Sequence, residues 1–570
     1  MSFLRRQFRI WIVAAAALGL GPGFQRAGCG ADLVEVQTAL TRLITDEMSD
    51  KGISALSLAV VDDQRIVWSQ GFGWADSETK RPATAGTVYR VGSVSKLFTD
   101  MAVMQLVERG ELDLDAPVAK YVPEFQPHNP FHKPITLRML MSHRAGLVRE
   151  PPIGNYFTPD QPSLADTVGS LNETELVYAP EAKSKYSNAG IAVVGYVLQR
   201  TQNQPFTDYL AQSLLTPLGL ENSSFQPQPR IVRELSQGVM WTYSGVTFPA
   251  PQFELGIAPA GSMYTSVNDL GRFISVLLAG GRGPGGQVLK PETIEAMWTP
   301  QFATPGQQTG FGIGFHVTEF EGQRRVGHDG AVYGFATTLQ VLPEAKLGVA
   351  AVANKDFANS VVDRIAEAAL RGMLAVRRGE ALSPPETTQP VPPEQVSSLS
   401  GRYGHGDQVL DLVAQDGQLY LVSNRSEYRR RLRWLDEALI VDDVLGYGQR
   451  LVPQDDRLLV NGAAYQRRER PAAGPVPERW RGLVGDYGWD HNTLQIRVNA
   501  DGQLEALIEW FAAYPLAEVA ENVYSFPSWG LYDGERLTFT RGADGCATRV
   551  QAASVVFERR PGAPTARTTP

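Results

Sequence analysis

The sequence is poor in cysteine and histidine and has no long basic run. Its 570 residues include only two cysteines, Cys29 and Cys546, and seven histidines. A formal net charge of −8, spread along the chain, argues against nucleic acid as the main partner. The sequence contains no zincin motif, no phosphate-binding glycine loop and no dinucleotide fingerprint. These absences exclude the commoner metal-dependent and nucleotide-dependent enzymes.

The remaining composition is that of a soluble globular protein with more than one core. Hydrophobic residues make up 43% of the chain and charged residues 20%. A chain of 570 residues is too long for a single hydrophobic core, and its length suggests about two to four domains.

The first residues are typical of an export signal. Arg5, Arg6 and Arg9 precede the apolar run "IWIVAAAALGLG", which is too short to span a bilayer as a helix. We predict a cleavable signal over 1–31, in which "RRQF" resembles a twin-arginine signal, and no integral membrane span after cleavage. A lipoprotein signal at Cys29 is disfavoured by Arg26. The expected location is periplasmic or secreted, and a mature chain with Cys546 alone could form no internal disulfide.

The rest of the chain divides into blocks with different sequence patterns. Residues 32–380 mix strand and helix patterns and are predicted to form one domain. Residues 381–395 are rich in proline and are predicted to be a linker. Beyond the linker, "LSGRYG" with "DGQLYL" recurs as "LVGDYG" with "DGQLEAL". This repeat predicts two small antiparallel barrels, at 396–470 and 478–562.

One short stretch of the sequence has the pattern of a serine nucleophile beside a lysine base. In "YRVGSVSKLFTDMAVMQLVE", Ser93 stands three residues before Lys96, where an apolar helical pattern begins, so the two share one helix face. A serine hydroxyl needs a neighbour that takes its proton, and a lysine can do so if burial lowers its pKa. The helix N-terminus would favour a developing oxyanion. The common alternative is a capping serine beside a solvated lysine, and this motif alone does not decide between the two.

Two further segments support the interpretation that Ser93 is a nucleophile and Lys96 its base. Tyr186-Ser187-Asn188 precedes an apolar helical run, and His328-Asp329-Gly330 stands at the start of a predicted strand. Roughly ninety residues separate the first two elements, and about 140 separate the last two. In order and spacing the three elements resemble those of the penicillin-recognising serine hydrolases. This superfamily includes class C β-lactamases, DD-peptidases, D-aminopeptidases and esterases of the peptidase S12 type.

The resemblance extends over the whole first block. "ITLRMLMSHRAGL", "LLTPLGLENSSF", "APAGSMYTSVNDLGRF" and "GFGIGF" look like further hallmarks of this superfamily. It implies an α+β fold in which an antiparallel sheet flanked by helices faces a helical subdomain, with the cleft between them. The two lipocalin-like barrels after it resemble the D-aminopeptidase branch, and they would cap the cleft or bind a partner.

The resemblance also implies a role for each matched residue. Ser93 would attack a carbonyl and form an acyl-enzyme, while Lys96 and Tyr186 share the proton transfers in an order that the sequence leaves open. Asn188 would hydrogen-bond the acyl side of the substrate. The oxyanion would lie between the backbone N–H groups of Ser93 and Ala331. The remaining matched positions are His328, which would donate a hydrogen bond while largely neutral, and Gly330, which would let the substrate approach the strand.

Asp329 departs from the pattern of relatives that bind a carboxylate, which often have a hydroxylated residue there. An ionised Asp329, on the same strand face as Ala331, would repel a substrate carboxylate. This disfavours β-lactams and free C-terminal D-alanine and favours esters, amides or substrates with a free amine. The alternative is that Asp329 turns toward an arginine such as Arg325 and never meets substrate.

The sequence therefore predicts an exported serine hydrolase for small ester, amide or D-amino-acid peptide substrates. It needs no metal and no organic cofactor, since His128 and His132 in "HNPFH" are interrupted by proline and make no helical metal pair. The partner is a small-molecule or peptide substrate. The alternatives are a DD-carboxypeptidase or weak class C-like β-lactamase, and a catalytically idle penicillin- or peptidoglycan-binding sensor.

Overall fold

The first block is built on an eight-stranded antiparallel sheet. A computed structural model describes residues 31–472 and 474–561, so the predicted export signal lies outside the described residues except for Ala31. Its strands, numbered along the chain, are β1 Ala55–Asp62, β2 Arg65–Asp76, β3 Arg81–Pro82, β4 Gly310–Phe311, β5 His316–Phe320, β6 Gln323–Val332, β7 Phe335–Leu342 and β8 Leu347–Ala353. In spatial order the sheet runs β4-β5-β6-β7-β8-β1-β2-β3.

Both faces of the sheet are buried, because side chains in a strand alternate between the two faces. On β1, Leu56, Leu58 and Val60 pack against the helices Leu33–Lys51 and Asn359–Arg378. Ala55, Ala59 and Val61 belong to the second core, which includes the helix Val267–Leu278 and the helical subdomain. Strand β1 is therefore buried almost along its whole length, and the sheet separates two hydrophobic cores.

The helical subdomain lies on the second face. Its longest helices are Ser95–Glu108 and Asn188–Gln202, which contact one another. Ser187 caps the second of them, since its Oγ accepts the N–H of Gly190 at 2.9 Å. The shorter helices of the block are Leu137–Met141, Leu164–Ser170, Phe206–Leu210, Pro229–Glu234, Ala258–Gly261 and Pro291–Met297.

The first tail repeat is a closed antiparallel barrel. Its interior is filled by leucine side chains such as Leu419, Leu421, Leu439 and Leu451, each fully buried. The interior of the barrel is therefore a packed hydrophobic core. Its strands are Gly401–His405, Gln408–Gln415, Gln418–Ser423, Arg430–Leu435, Ala438–Asp443, Gly446–Gln454, Arg457–Val460 and Ala463–Arg468.

The second tail repeat consists of a four-stranded and a five-stranded antiparallel sheet. An antiparallel bridge between Tyr487 and Arg559 joins the first strand of the one to the end of the other. The four-stranded sheet contains Gly485–Trp489, Asn492–Val498, Leu504–Ile508 and Ala512–Pro515. The five-stranded sheet contains Ala517–Ala520, Val523–Ser525, Arg536–Arg541, Ala547–Ala552 and Val555–Glu558.

The two repeats share a local arrangement that supports the repeat seen in the sequence. In the first, the Tyr403 hydroxyl donates to the carbonyl of Leu399 at 2.9 Å and accepts from Arg467 at 3.0 Å. In the second, Tyr487 makes the same pair of hydrogen bonds, at 2.6 Å with the carbonyl of Leu483 and at 3.0 Å with Arg559. The predicted antiparallel sheet flanked by helices and a closed antiparallel barrel are both observed, but the second repeat consists of two sheets where a second barrel was predicted.

Short helices precede each repeat, where the sequence patterns indicated none. They are Pro393–Leu399 and Glu478–Arg481, and each begins directly after a proline. The first of them starts inside the predicted linker 381–395. Gln389 of that linker pairs with Trp434 of the barrel through two backbone hydrogen bonds of 2.8 and 2.7 Å. Across the described ranges of the chain, no helix combines the length and apolar character that crossing a bilayer requires.

Candidate active site

Ser93 lies at the junction of the sheet and the helical subdomain. It occupies a 3-10 turn, Gly92–Val94, that leads directly into the helix Ser95–Glu108. The Ser95 hydroxyl fixes this turn, since it donates to the carbonyl of Gly92 at 2.6 Å and accepts the N–H of Met263 at 3.0 Å. Ser95 is fully buried whereas Ser93 is half-buried. The turn thus presents the Ser93 hydroxyl at a helix N-terminus, next to the cleft.

Lys96 is fully buried beneath Ser93. Its Nζ donates to Ser93 Oγ at 3.0 Å and to the carbonyl of Ala260 at 2.8 Å. Burial lowers the pKa of Lys96 to about 7, although the nearby Glu150 carboxylate opposes the shift. Near neutral pH the amine is therefore substantially uncharged, as the acceptor of the serine proton must be.

Tyr186 forms the opposite wall of the cleft next to Ser93. The Lys96 Nζ lies 4.9 Å from the centre of its ring, and the buried His143 ring packs on it at 4.2 Å. Burial raises the pKa of the Tyr186 phenol above its usual value, and a hydrogen bond with Ser93 opposes the rise. The phenol therefore stays protonated at neutral pH, within hydrogen-bond reach of the serine.

The end of β6 closes the space on the sheet side. A Cβ at Gly330 would lie 1.9 Å from the carbonyl oxygen of Val91, and one at Gly92 would lie 2.6 Å from that of Ala331. Two glycines thus allow the strand to pass against the turn that carries Ser93, which brings the backbone of Ala331 next to the serine. The prediction that His328-Asp329-Gly330 starts a strand was wrong, because β6 begins at Gln323 and these three residues lie near its C-terminal end.

His328 is buried on the cleft side of β6, with its ring centre 6.2 Å from that of Tyr186. Burial lowers the pKa of His328 to about 3, so the imidazole is neutral. Its Nδ1 lies 2.5 Å from the carbonyl oxygen of Asp329 and must carry the proton, because a carbonyl only accepts. Nε2 is then a hydrogen-bond acceptor, which differs from the donor role that the sequence suggested.

Asp329 lies on the other face of β6, toward the helix Asn359–Arg378. It is exposed, and its carboxylate accepts from Thr338 at 2.9 Å. Arg325 is paired with Glu367 at 2.9 Å, so it is not the main partner of Asp329. Burial and the Asp329 carboxylate raise the pKa of the neighbouring Asp363 to about 8. Burial of the carboxyl group raises the pKa of Asp329 as well, so the two acids form an interacting pair on this face of β6.

Asn188 is buried beside two residues that the sequence analysis did not single out. Its Nδ2 donates to Glu150 Oε1 at 2.6 Å, and its backbone N–H donates to the carbonyl of Arg149 at 2.8 Å. The Arg149 guanidinium lies 5.9 Å from the ring centre of Tyr186. Both residues follow the "SHRAGL" segment after one valine, so two charged residues next to a family-like motif were the signal that could have indicated them.

A loop of the second tail repeat reaches this part of the cleft. Glu535 pairs with Lys185 at 2.6 Å and accepts the backbone N–H of Arg149 at 3.2 Å. Asp533 pairs with Lys183 at 2.5 Å, and the ring of Tyr532 lies 5.9 Å from the Arg149 guanidinium. This loop, residues 526–535, therefore covers the Arg149 side of the cleft and contacts the segment that carries Tyr186.

The geometry unites Ser93, Lys96, Tyr186, Asn188, His328, Gly330 and Ala331 around one space, and it sets Asp329 on the other strand face. An antiparallel sheet against a helical subdomain, with a serine, a lysine and a tyrosine at their junction, defines the class of β-lactamase-like serine hydrolases. The model of the Beta-lactamase family matches residues 40–372. The chain belongs to this family.

Relatives of known name match parts of the chain. Penicillin-binding protein 4 of Amycolatopsis lactamdurans is 28% identical over 333 residues, which are 56% of this chain and 85% of that protein. Beta-lactamase-like protein 2 of Dictyostelium discoideum is 29% identical over 320 residues, which are 54% of this chain and 57% of that protein.

Solved structures show the same fold at low sequence identity. An octameric penicillin-binding protein homologue from Pyrococcus abyssi matches with a TM-score of 0.56 and 22% identity, over 84% of this chain and 99% of that one. D-amino acid amidase from Ochrobactrum anthropi SV3 matches with a TM-score of 0.51 and 21% identity, over 60% of this chain and 99% of that one.

Proposed function

We propose that the chain is an exported serine hydrolase that forms an acyl-enzyme on Ser93 and cleaves small ester, amide or D-amino-acid peptide substrates. The observation that carries the proposal is the 3.0 Å contact between Ser93 Oγ and the Nζ of a fully buried Lys96. Export is proposed from residues 1–31 alone. The fold similarity to D-amino acid amidase is consistent with this substrate class.

In the proposed mechanism Lys96 is the general base. It removes the Ser93 proton as the hydroxyl oxygen attacks the substrate carbonyl, and the oxyanion lies between the backbone N–H groups of Ser93 and Ala331. Tyr186, whose phenol stays protonated, donates its proton to the leaving group and is reprotonated by Lys96. Water then attacks the acyl-enzyme, and the same groups release the acid.

A DD-carboxypeptidase or weak β-lactamase is the second candidate, and the similarity to penicillin-binding protein 4 favours it. Such substrates bring a carboxylate toward the C-terminal end of β6, near Gly330. Asp329 lies on the other face of β6, so its charge does not decide against this candidate, and a fluorescent penicillin tests it directly.

A panel of three reagents tests the proposal. The protein is incubated with p-nitrophenyl acetate, D-alanyl p-nitroanilide and a fluorescent penicillin, and product release and covalent labelling are followed. We expect turnover of the ester and the anilide, with slow or no hydrolysis of the penicillin. Rapid penicillin labelling and hydrolysis would instead support the second candidate. Labelling by none of the three would support an idle sensor.

The pH dependence of kcat/KM should reflect the ionisation of Lys96. Since a general base must be uncharged, we expect kcat/KM to rise with pH and to level off above an apparent pKa of about 7. Ester hydrolysis measured from about pH 5 to about pH 9, with correction for spontaneous hydrolysis, gives this profile. A profile that is flat across neutrality would contradict the assignment of Lys96 as the base.

A further inference from the structure

His143 follows the short helix Leu137–Met141 and lies behind Tyr186. Its backbone φ is 57°, in the left-handed region that few residues other than glycine adopt. Its N–H donates to the carbonyl of Leu140 at 3.2 Å, so this residue turns the chain out of the helix. Its side chain is buried, with 2% of the residue exposed. The fold therefore holds a buried imidazole on an uncommon backbone conformation.

Three contacts join His143 to the segment that carries Tyr186. The backbone carbonyl of His143 accepts the N–H of Lys185 at 2.8 Å, and Nδ1 accepts the N–H of Ser187 at 3.2 Å. The imidazole also packs on the Tyr186 ring, with 4.2 Å between the ring centres and 36° between the planes. A single residue thus fixes both chain neighbours of Tyr186 and the plane of its ring.

The other rings around Tyr186 lie further away. Within the described residues, the ring centres of Phe311 and His328 are each 6.2 Å from that of Tyr186. Phe311 packs edge-on against His143 at 5.0 Å and so supports the imidazole. A phenol that rotated away from Ser93 would have to leave its contact with His143.

The imidazole of His143 is neutral. Burial lowers the pKa of His143 well below its usual value, and the neighbouring Lys96 acts in the same direction. Because Nδ1 accepts from Ser187, the ring proton is on Nε2. A neutral and buried ring adds no charge beside Lys96. Its packing on Tyr186 is therefore the contact through which it can affect the reaction.

We propose that His143 is a positioning residue that holds the Tyr186 phenol in place for proton transfer to the leaving group. This inference rests on the proposed function, in which Tyr186 gives its proton to the leaving oxygen or nitrogen as the bond to the carbonyl carbon breaks. Lys96, which has taken the Ser93 proton, then passes that proton to Tyr186. A displaced phenol slows this transfer and leaves the nucleophile and its base unchanged.

Two acetate esters test the inference, because they form the same acyl-enzyme but differ in their need for the proton. The p-nitrophenolate ion leaves without protonation, whereas the alkoxide released from benzyl acetate must be protonated. Since kcat/KM covers only the steps through acylation, the two esters isolate the leaving-group proton transfer. For His143→Ala we expect kcat/KM to fall about 10- to 100-fold on benzyl acetate and less than about threefold on p-nitrophenyl acetate.

A conservative variant separates the hydrogen bond from the ring contact. His143→Asn tolerates a left-handed backbone and keeps an acceptor near the position of Nδ1, but it lacks the ring. We expect it to lose about three- to tenfold on benzyl acetate alone, which is less than His143→Ala. The matched control is His132→Ala, at an exposed histidine whose φ is 54°. It should leave both esters unchanged.

A double variant shows whether His143 acts through Tyr186. Tyr186→Phe removes the phenol itself, so adding His143→Ala to it should cost less than about threefold more on benzyl acetate. A further loss as large as that of His143→Ala alone would overturn the inference, because the two residues would then act independently.

The remaining outcomes separate this inference from the proposed function. Melting temperatures show which variants are folded, and His143→Asn decides the question if His143→Ala does not fold. Equal losses on the two esters in a folded variant would indicate a structural role alone and would overturn the inference, while the hydrolase stands. Failure of the wild-type protein to acylate with either ester would overturn both.

Discussion

Replacing Ser93 with alanine should abolish acylation and lower turnover by at least about 10³-fold. Alanine removes the hydroxyl that would attack the carbonyl, and within the described residues Ser93 has the only hydroxyl that is hydrogen-bonded to the Lys96 amine. The measurement is mass spectrometry of the intact protein after incubation with each of the three reagents, together with steady-state release of nitrophenol or nitroaniline.

Two other serines serve as controls for this prediction. Ser77→Ala changes an exposed turn residue and should leave turnover unchanged. Ser95→Ala removes two buried hydrogen bonds of the catalytic turn, so it should lower stability by about 1–3 kcal/mol while leaving Ser93 available for labelling. Covalent labelling that persists in folded Ser93→Ala would show that the nucleophile is another residue.

The core of the candidate site was predictable because it is local or follows a known order of motifs. Ser93 and Lys96 are three residues apart at a helix start, and helical geometry alone places them on one face. Tyr186 and His328 came from the resemblance, since nothing in their own segments indicates that they meet Ser93. The β1–β2 hairpin followed from two apolar runs around a polar turn, and the helix Asn359–Arg378 followed from an apolar face that repeats at the helix period.

The other half of the site depends on contacts between distant parts of the chain. Lys185 and Glu535 pair at 2.6 Å although they are 350 positions apart in the sequence. No hydrophobic period or turn signal encodes such a pair. The hydrogen bond from His328 Nδ1 to a backbone carbonyl also required coordinates, and it reversed the expected role of this side chain.

Replacing Lys96 with methionine should lower kcat/KM by at least about 10³-fold and at the same time stabilise the fold. The loss of activity follows from removing the general base. The gain in stability follows because burial lowers the pKa of Lys96 from 10.5 to about 7. At about 1.4 kcal/mol per pH unit, this lysine costs the folded state on the order of several kcal/mol at neutral pH. Losing the hydrogen bond to the carbonyl of Ala260 offsets part of the gain.

The pH dependence of stability distinguishes this explanation from simple repacking. Between about pH 7 and pH 10.5 the unfolded lysine holds a proton that the folded one has lost, so wild-type stability should rise with pH across this window. Lys96→Met lacks that rise. Its advantage in denaturant unfolding should therefore be greatest below about pH 7 and should shrink toward pH 10.5. Lys290→Met, at an exposed lysine, should show no such advantage, and a pH-independent gain in Lys96→Met would contradict a buried titrating amine.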